Sequence, residues 1–188
     1  MTHDQPAFLT GRLLIAMPGM GDPRFERAVI LMAAHDEDGA LGIGIGKEAS
    51  AIDFGDLLEN LGVEGNSAPP APILEGGPVE PSRGFVLHSD DWGGQDTVRI
   101  ADLCSLTGTL DVLRALGEGR GPSDFLVALG YAGWGPGQLD DEMTRHGWLV
   151  ADASRELLFD TAPAERWARA MTSLGIDPAA LAAETGAA

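Results

Sequence analysis

Residues 125–138, FLVALGYAGWGPGQ, constrain this chain more than any other stretch. Phe125 to Leu129 is apolar at every position, as suits a strand buried on both faces in the middle of a sheet. The nine residues after it hold four glycines together with Tyr131 and Trp134. That composition predicts a glycine loop that leaves the strand and opens a helix at Pro136, where the first helical turn accepts proline. The glycines serve either tight packing or contact with a ligand, so Trp134 and Gln138 enter as candidate ligand-binding residues.

The rest of the pattern mixes strands and helices without strict alternation, which points to α+β rather than a doubly wound sheet. Arg12 to Met17 and Arg27 to His35 read as strands separated by the tight loop PGMGDPRFE. Asp38-Gly39 then supplies a hairpin turn into Ala40 to Gly46. Asp53 caps a helix over 53–61 that Gly62 ends, and Leu110, Leu113 and Leu116 mark another over 108–116. GNSAPPAP, residues 65–72, has the composition of a linker, but one Pro-rich loop does not divide a domain. Further strands are expected at Arg83 to Ser89, Thr97 to Ala101 and Trp148 to Ala151. Helices are expected over 136–146, around Trp167 with Pro163 near its start, and from Pro178.

A chain of 188 residues suits one domain, since that length buries roughly 70% of its unfolded surface. The reading is a single domain over 1–188 with an ordered core about 8–177. Twelve basic against 29 acidic residues give a net charge of −17, which repels polyanions and disfavours direct nucleic-acid binding. One cysteine, Cys104, excludes an internal disulfide and reads as a small buried hydrophobe. With no signal-peptide pattern and no apolar run of about 20 residues, a cytoplasmic protein without membrane insertion is expected.

Candidate chemistry is sparse. Gly19 and Gly21 follow a strand, yet the third glycine of a dinucleotide fingerprint would fall at Arg24, and a strand follows. Arg24 stays as a candidate anion ligand, with mutually paired loop charges as the alternative. Gly42, Gly44 and Gly46 alternate within a strand and suggest either close approach by another element or a weak strand. Gly76-Gly77-Pro78 forms a constrained turn ahead of Arg83 and His88, which could present a cation and an imidazole to a ligand. Alternatively, Arg83 forms a salt bridge and His88 caps a strand end. Isolated histidines without metal-ligand spacing leave no metal and no cofactor expected. Asp140, Asp141 and Glu142 suit the start of a helix, where its dipole favours negative charge. Glu142 or Asp140 could act with His88 only if folding brings them together.

Taken in order, LLIAMPGMGDPRFERAVILMAAHDEDGALG, ILEGGPVEPSRGFVLHS, LGYAGWGPGQLDDE and LLFDTAPAERWARAMTSLGID resemble the YqgE/AlgH family of bacterial proteins across about residues 9–177. The resemblance implies one α+β domain with a branched mixed sheet and a small barrel-like portion surrounded by helices. It implies no catalytic residues, and its functional name, a transcriptional regulator linked to alginate production, rests on a genetic connection. Where it implies a bulkier strand ending in an Asn-Arg type pair, this chain has GIGIGKE, and Lys47 lacks the bidentate fork of arginine. The expectation is a non-enzymatic cytosolic protein that binds an unknown protein or small-molecule partner through Arg24, Gly76, Gly77, Arg83, His88, Trp134 and Gln138. The alternatives are a hydrolase using a carboxylate/His pair and a DNA-binding regulator, the latter opposed by the charge.

Overall fold

The computed structural model describes residues 8–18, 26–49, 52–65, 67–145 and 147–180. Arg24, the loop glycines Gly19 and Gly21, and His146 lie outside them. The backbone is organised by β8 (Phe125–Trp134), which continues through the first five residues of the stretch that composition assigns to a loop, leaving 135–137 as the turn. Its first half pairs with β5 (Val79–His88) on one side and with β4 (Ile73–Glu75) on the other. Its second half pairs with β3 (Gly39–Gly44), through Gly42 opposite Ala132 and Ala40 opposite Trp134. β3 returns antiparallel to β2 (Val29–Asp36), as the Asp-Gly turn implies, and β2 pairs with β1 (Arg12–Ala16). β9 (Trp148–Asp152) closes that end, while β7 (Cys104–Thr107) and β6 (Thr97–Ile100) extend the other beyond β5.

The nine strands form one mixed sheet, curled into a half-barrel, with β4 off the main path; the branch and the α+β class agree with expectation. Both faces are covered. Leu13, Leu14, Ile15 and Ala16 are all fully buried although they alternate sides. One face carries α1 (Phe54–Asn60) and α2 (Leu110–Gly117), whose Leu57, Leu58, Val112 and Leu116 pack on Ile73, Val86 and Val127. Asp53 caps α1 through the Asp56 amide, and Gly62 follows its end at φ +70°. The connection from α1 to β4 includes the Pro-rich segment and stays within this cluster.

α3 (Gln138–Arg145) begins two residues beyond Pro136 and buries Leu139 against Leu14, Met32 and Trp148. α4 (Arg155–Phe159) and α5 (Pro163–Ser173) cover the remaining face through Leu158, Trp167 and Met171. β4, β7 and α4 are too short, at three, four and five residues, to show a decisive period, and composition does not reveal them.

The branch is a backbone-to-backbone contact. Gly76 donates its amide to the Leu129 carbonyl at 2.8 Å and accepts from the Gly44 amide at 2.7 Å, so one residue joins β8 to β3. A Cβ on Gly76 would overlap the Gly130 carbonyl oxygen, and Gly130 itself has φ +76°. Each β-carbon added here meets main chain, which cannot rotate away. Gly76→Ala is therefore expected to cost about 2–3 kcal/mol in denaturant unfolding, at the upper end for overpacking.

A buried arginine ties the helical layer to this branch. Arg166, 2% exposed, donates from Nη1 to Ile45 O at 2.6 Å, from Nη2 to Leu158 O at 2.6 Å and from Nε to Leu157 O at 3.0 Å. Burial pulls its pKa down to about 10, so it stays charged at neutral pH. Arg166→Met strands three buried carbonyls, and about 3–5 kcal/mol of stability is expected to go. Arg166→Lys should recover little, because one ammonium lacks the planar fork that reaches all three; chemical denaturation of the pair measures this.

Candidate functional site

The residues selected from sequence do not converge. His88, at the end of β5, is completely buried. Its Nδ1 lies 2.8 Å from the Ser89 carbonyl and therefore carries the proton, while Nε2 accepts from the Thr107 hydroxyl at 2.8 Å. The Thr107 oxygen accepts in turn from Thr97, whose oxygen accepts from the Gly94 amide, both at 2.8 Å. Every donor and acceptor in this file is used, which makes His88 a structural residue at a strand end.

Arg83 is exposed, 3.4 Å from Glu80 and over the Phe85 ring at 5.0 Å. Trp134 is buried, and its indole donates to Glu142 Oε2 at 2.8 Å. Gln138 accepts from the Gly135 amide at 2.9 Å and donates to Glu142 at 3.2 Å. Together the three side chains clamp the turn between β8 and α3.

This geometry separates the carboxylate/His pair. His88 sits opposite Phe125 at the start of β8, whereas Glu142 is bonded to Trp134 at its end. Nine residues of strand, about 30 Å at 3.3 Å each, lie between those anchors. Asp140 does approach a histidine, but it is His35, whose Nε2 is 3.8 Å from Asp140 Oδ1 and whose Nδ1 accepts the Leu9 amide at 3.0 Å. That ring pins residues 8 and 9 to the sheet, with Phe8 edge-on at 5.3 Å. Among the described residues no group of three potential metal-binding side chains occurs. Cys104 is buried on β7, and burial pushes its thiol up to about 12, far from a reactive thiolate.

Of the selected positions among the described residues, only Gly76 and Gly77 line a cavity of ligand size. It has a volume of about 440 Å³, within the usual range for small-molecule clefts, and lies at the branch between β2, β3 and the β4–β5 turn. Ala28, Val29, Ile30, Pro78, Leu129 and Ala132 make it predominantly apolar, with Lys47 and Glu75 as its charged members. Two of the three non-glycine residues with left-handed φ among the described residues flank it: Arg27 at +53° beside Ala28 and Glu80 at +45° beside Pro81. Such backbone costs of order 1–3 kcal/mol and persists where the surroundings impose it. The one legible signal for this site is the alternation Gly42, Gly44, Gly46; at Gly44 the approaching element is Glu75–Gly76, while Gly42 and Gly46 lie against Ile30–Met32 and Arg27–Val29.

Fold and cleft together define a class: a curled half-barrel sheet flanked by helices, with an apolar cleft at its branch. A profile of the AlgH-like family matches residues 13–179, and the chain belongs to that family. It is 58% identical to the UPF0301 protein of Novosphingobium aromaticivorans over 96% of this chain and 97% of that protein. The corresponding figure for the UPF0301 protein of Rhizorhabdus wittichii is 60%, over 97% and 98%. The solution structure of AlgH from Pseudomonas aeruginosa aligns at TM-score 0.77 and 38% identity, covering 97% of both chains. A crystal structure from Corynebacterium diphtheriae aligns at TM-score 0.68 with 22% identity over 91% and 88%, a likeness of fold.

The role of the His88 file is testable. His88→Ala is expected to cost about 1–3 kcal/mol by leaving the Thr107 hydroxyl buried without its acceptor. His88→Ala/Thr107→Val should recover part of that loss in a double-mutant unfolding cycle.

Proposed function

We propose that this protein is a non-enzymatic cytoplasmic binding protein that holds a small, partly apolar molecule in the cleft at the sheet branch and acts in regulation through that occupancy. The observation that carries the reading is the cavity of about 440 Å³, walled by apolar side chains and by the Gly44–Gly76 main-chain contact. A pocket built on mutually locked backbone is pre-organised, so little ordering cost opposes binding. The hydrolase reading loses its support because His88 is fully engaged with Thr107 and Ser89, away from Glu142. The charge of −17 continues to oppose direct DNA recognition. No helix among the described residues is long and apolar enough to cross a membrane.

The test is a fragment titration followed by amide chemical shifts. Apolar fragments are expected to move the resonances of Ala28, Gly44, Gly46, Gly76 and Gly77, and Ala28→Leu, which fills the cleft, should abolish those shifts while leaving the protein folded. Shifts confined to other surfaces, or unchanged in Ala28→Leu, would refute the reading.

A further inference from the structure

The cleft at the branch does not end at its apolar wall. Gly46 and Lys47, which border it, also border a second cavity of about 820 Å³, on which Glu26, Arg27, Trp167 and Pro178 lie. Lys47 thus stands on the joint margin of the two cavities, and Arg27 lines the second of them. Among the described residues neither has a carboxylate within ion-pair distance, although acidic residues outnumber basic ones 29 to 12. Arg27 instead lies over the Trp167 ring at 5.4 Å, and the Trp167 indole is fixed by donating to the Ala16 carbonyl at 2.9 Å. The left-handed backbone of Arg27 accompanies that placement. Lys47 is placed from the other side: its carbonyl accepts the Glu75 amide at 2.9 Å, and Ile45, two residues earlier, accepts Arg166.

Resting on the binding role proposed above, we infer that the occupant is an amphiphilic monoanion, whose apolar chain enters the cleft beside Val29 and Leu129 and whose carboxylate-type head is held by Lys47 and Arg27. The branch wall is mostly apolar, Lys47 stands where the two cavities adjoin, and Arg27 faces the second cavity. Glu26 and Glu75 also border these cavities, and their negative charge disfavours a head of higher charge. A single anion matched to two cations in a mostly acidic protein gives discrimination that the apolar cleft alone cannot, because burying an unpaired head group is costly.

Three probes of one chain length separate the possibilities: decanoate, decanol and decyltrimethylammonium, each titrated below its micelle concentration and followed by calorimetry and amide shifts. Decanoate is expected to bind about tenfold more tightly than decanol, the low end for a hydrogen bond to a charged group. The cation should bind most weakly. Lys47→Gln is expected to remove the preference for decanoate with little change in decanol affinity, while Lys47→Arg keeps it; thermal unfolding confirms that both variants fold. Equal binding of decanoate and decanol would overturn the anion assignment and leave the apolar cleft standing. If none of the probes binds, or binding is indifferent to Ala28→Leu, the binding role fails with it. Association with anionic phosphatidylglycerol vesicles in the absence of decanoate binding would overturn the proposal in favour of a membrane surface.

Discussion

The structure depends on the guanidinium of Arg166. A charge withdrawn from water is tolerated only when its donors are met, and here the partners are main-chain carbonyls at the end of β3 and within α4. Carbonyls cannot change rotamer, so the contact fixes two pieces of backbone against each other. The helical layer is thereby held against the strand exit that leads to Gly46 and Lys47, and the cleft margin inherits that position. The neighbouring residue, Trp167, reaches β1 through its indole and carries Arg27 on its ring. One turn of α5 consequently positions both sides of the second cavity.

The glycines serve the same end by a different means. Gly44, Gly76 and Gly130 bring three strands together at distances that admit no side chain, which is how β8 exchanges β4 for β3 along one edge without breaking the sheet. The exchange leaves space beside it, because β4 ends before β3 comes into pairing distance of β8. The cleft is the geometric remainder of the branch. Its apolar wall follows from the strands that meet there, whose side chains would otherwise belong to the core.

Elements with strong local signals are legible in the sequence: the Asp38-Gly39 turn, the Asp53-capped helix, the apolar run at 125–129 and the Pro163 helix all lie where composition puts them. The glycine stretch after Leu129 is strand through Trp134 and turns only over 135–137, since local glycine content lowers strand preference while pairing to β3 overrides it up to Trp134. The site is less legible. Arg83, His88, Trp134 and Gln138 stand out as polar or aromatic residues; Arg83, Trp134 and Gln138 engage partners three to eight residues away, and His88 engages Thr107 across the sheet. Gly76 and Gly77 do border the cleft, but through main chain. Lys47 and Arg27 read only as members of a strand end and a charged loop, 20 residues apart.

By itself, the sequence determined the α+β class, the family, the central strand and the charge that opposes polyanions. These are properties of local pattern, of ordered blocks of residues or of a sum over the chain, and none needs distances between remote positions. Only the tertiary structure decided that the glycines cross one another at a branch, that His88 and Glu142 stay apart, and that Lys47 and Arg27 border one cavity. The reason is that these outcomes follow from strand order and from a buried arginine linking residues 45 and 166, and no local preference along the chain encodes which remote carbonyl a guanidinium will reach.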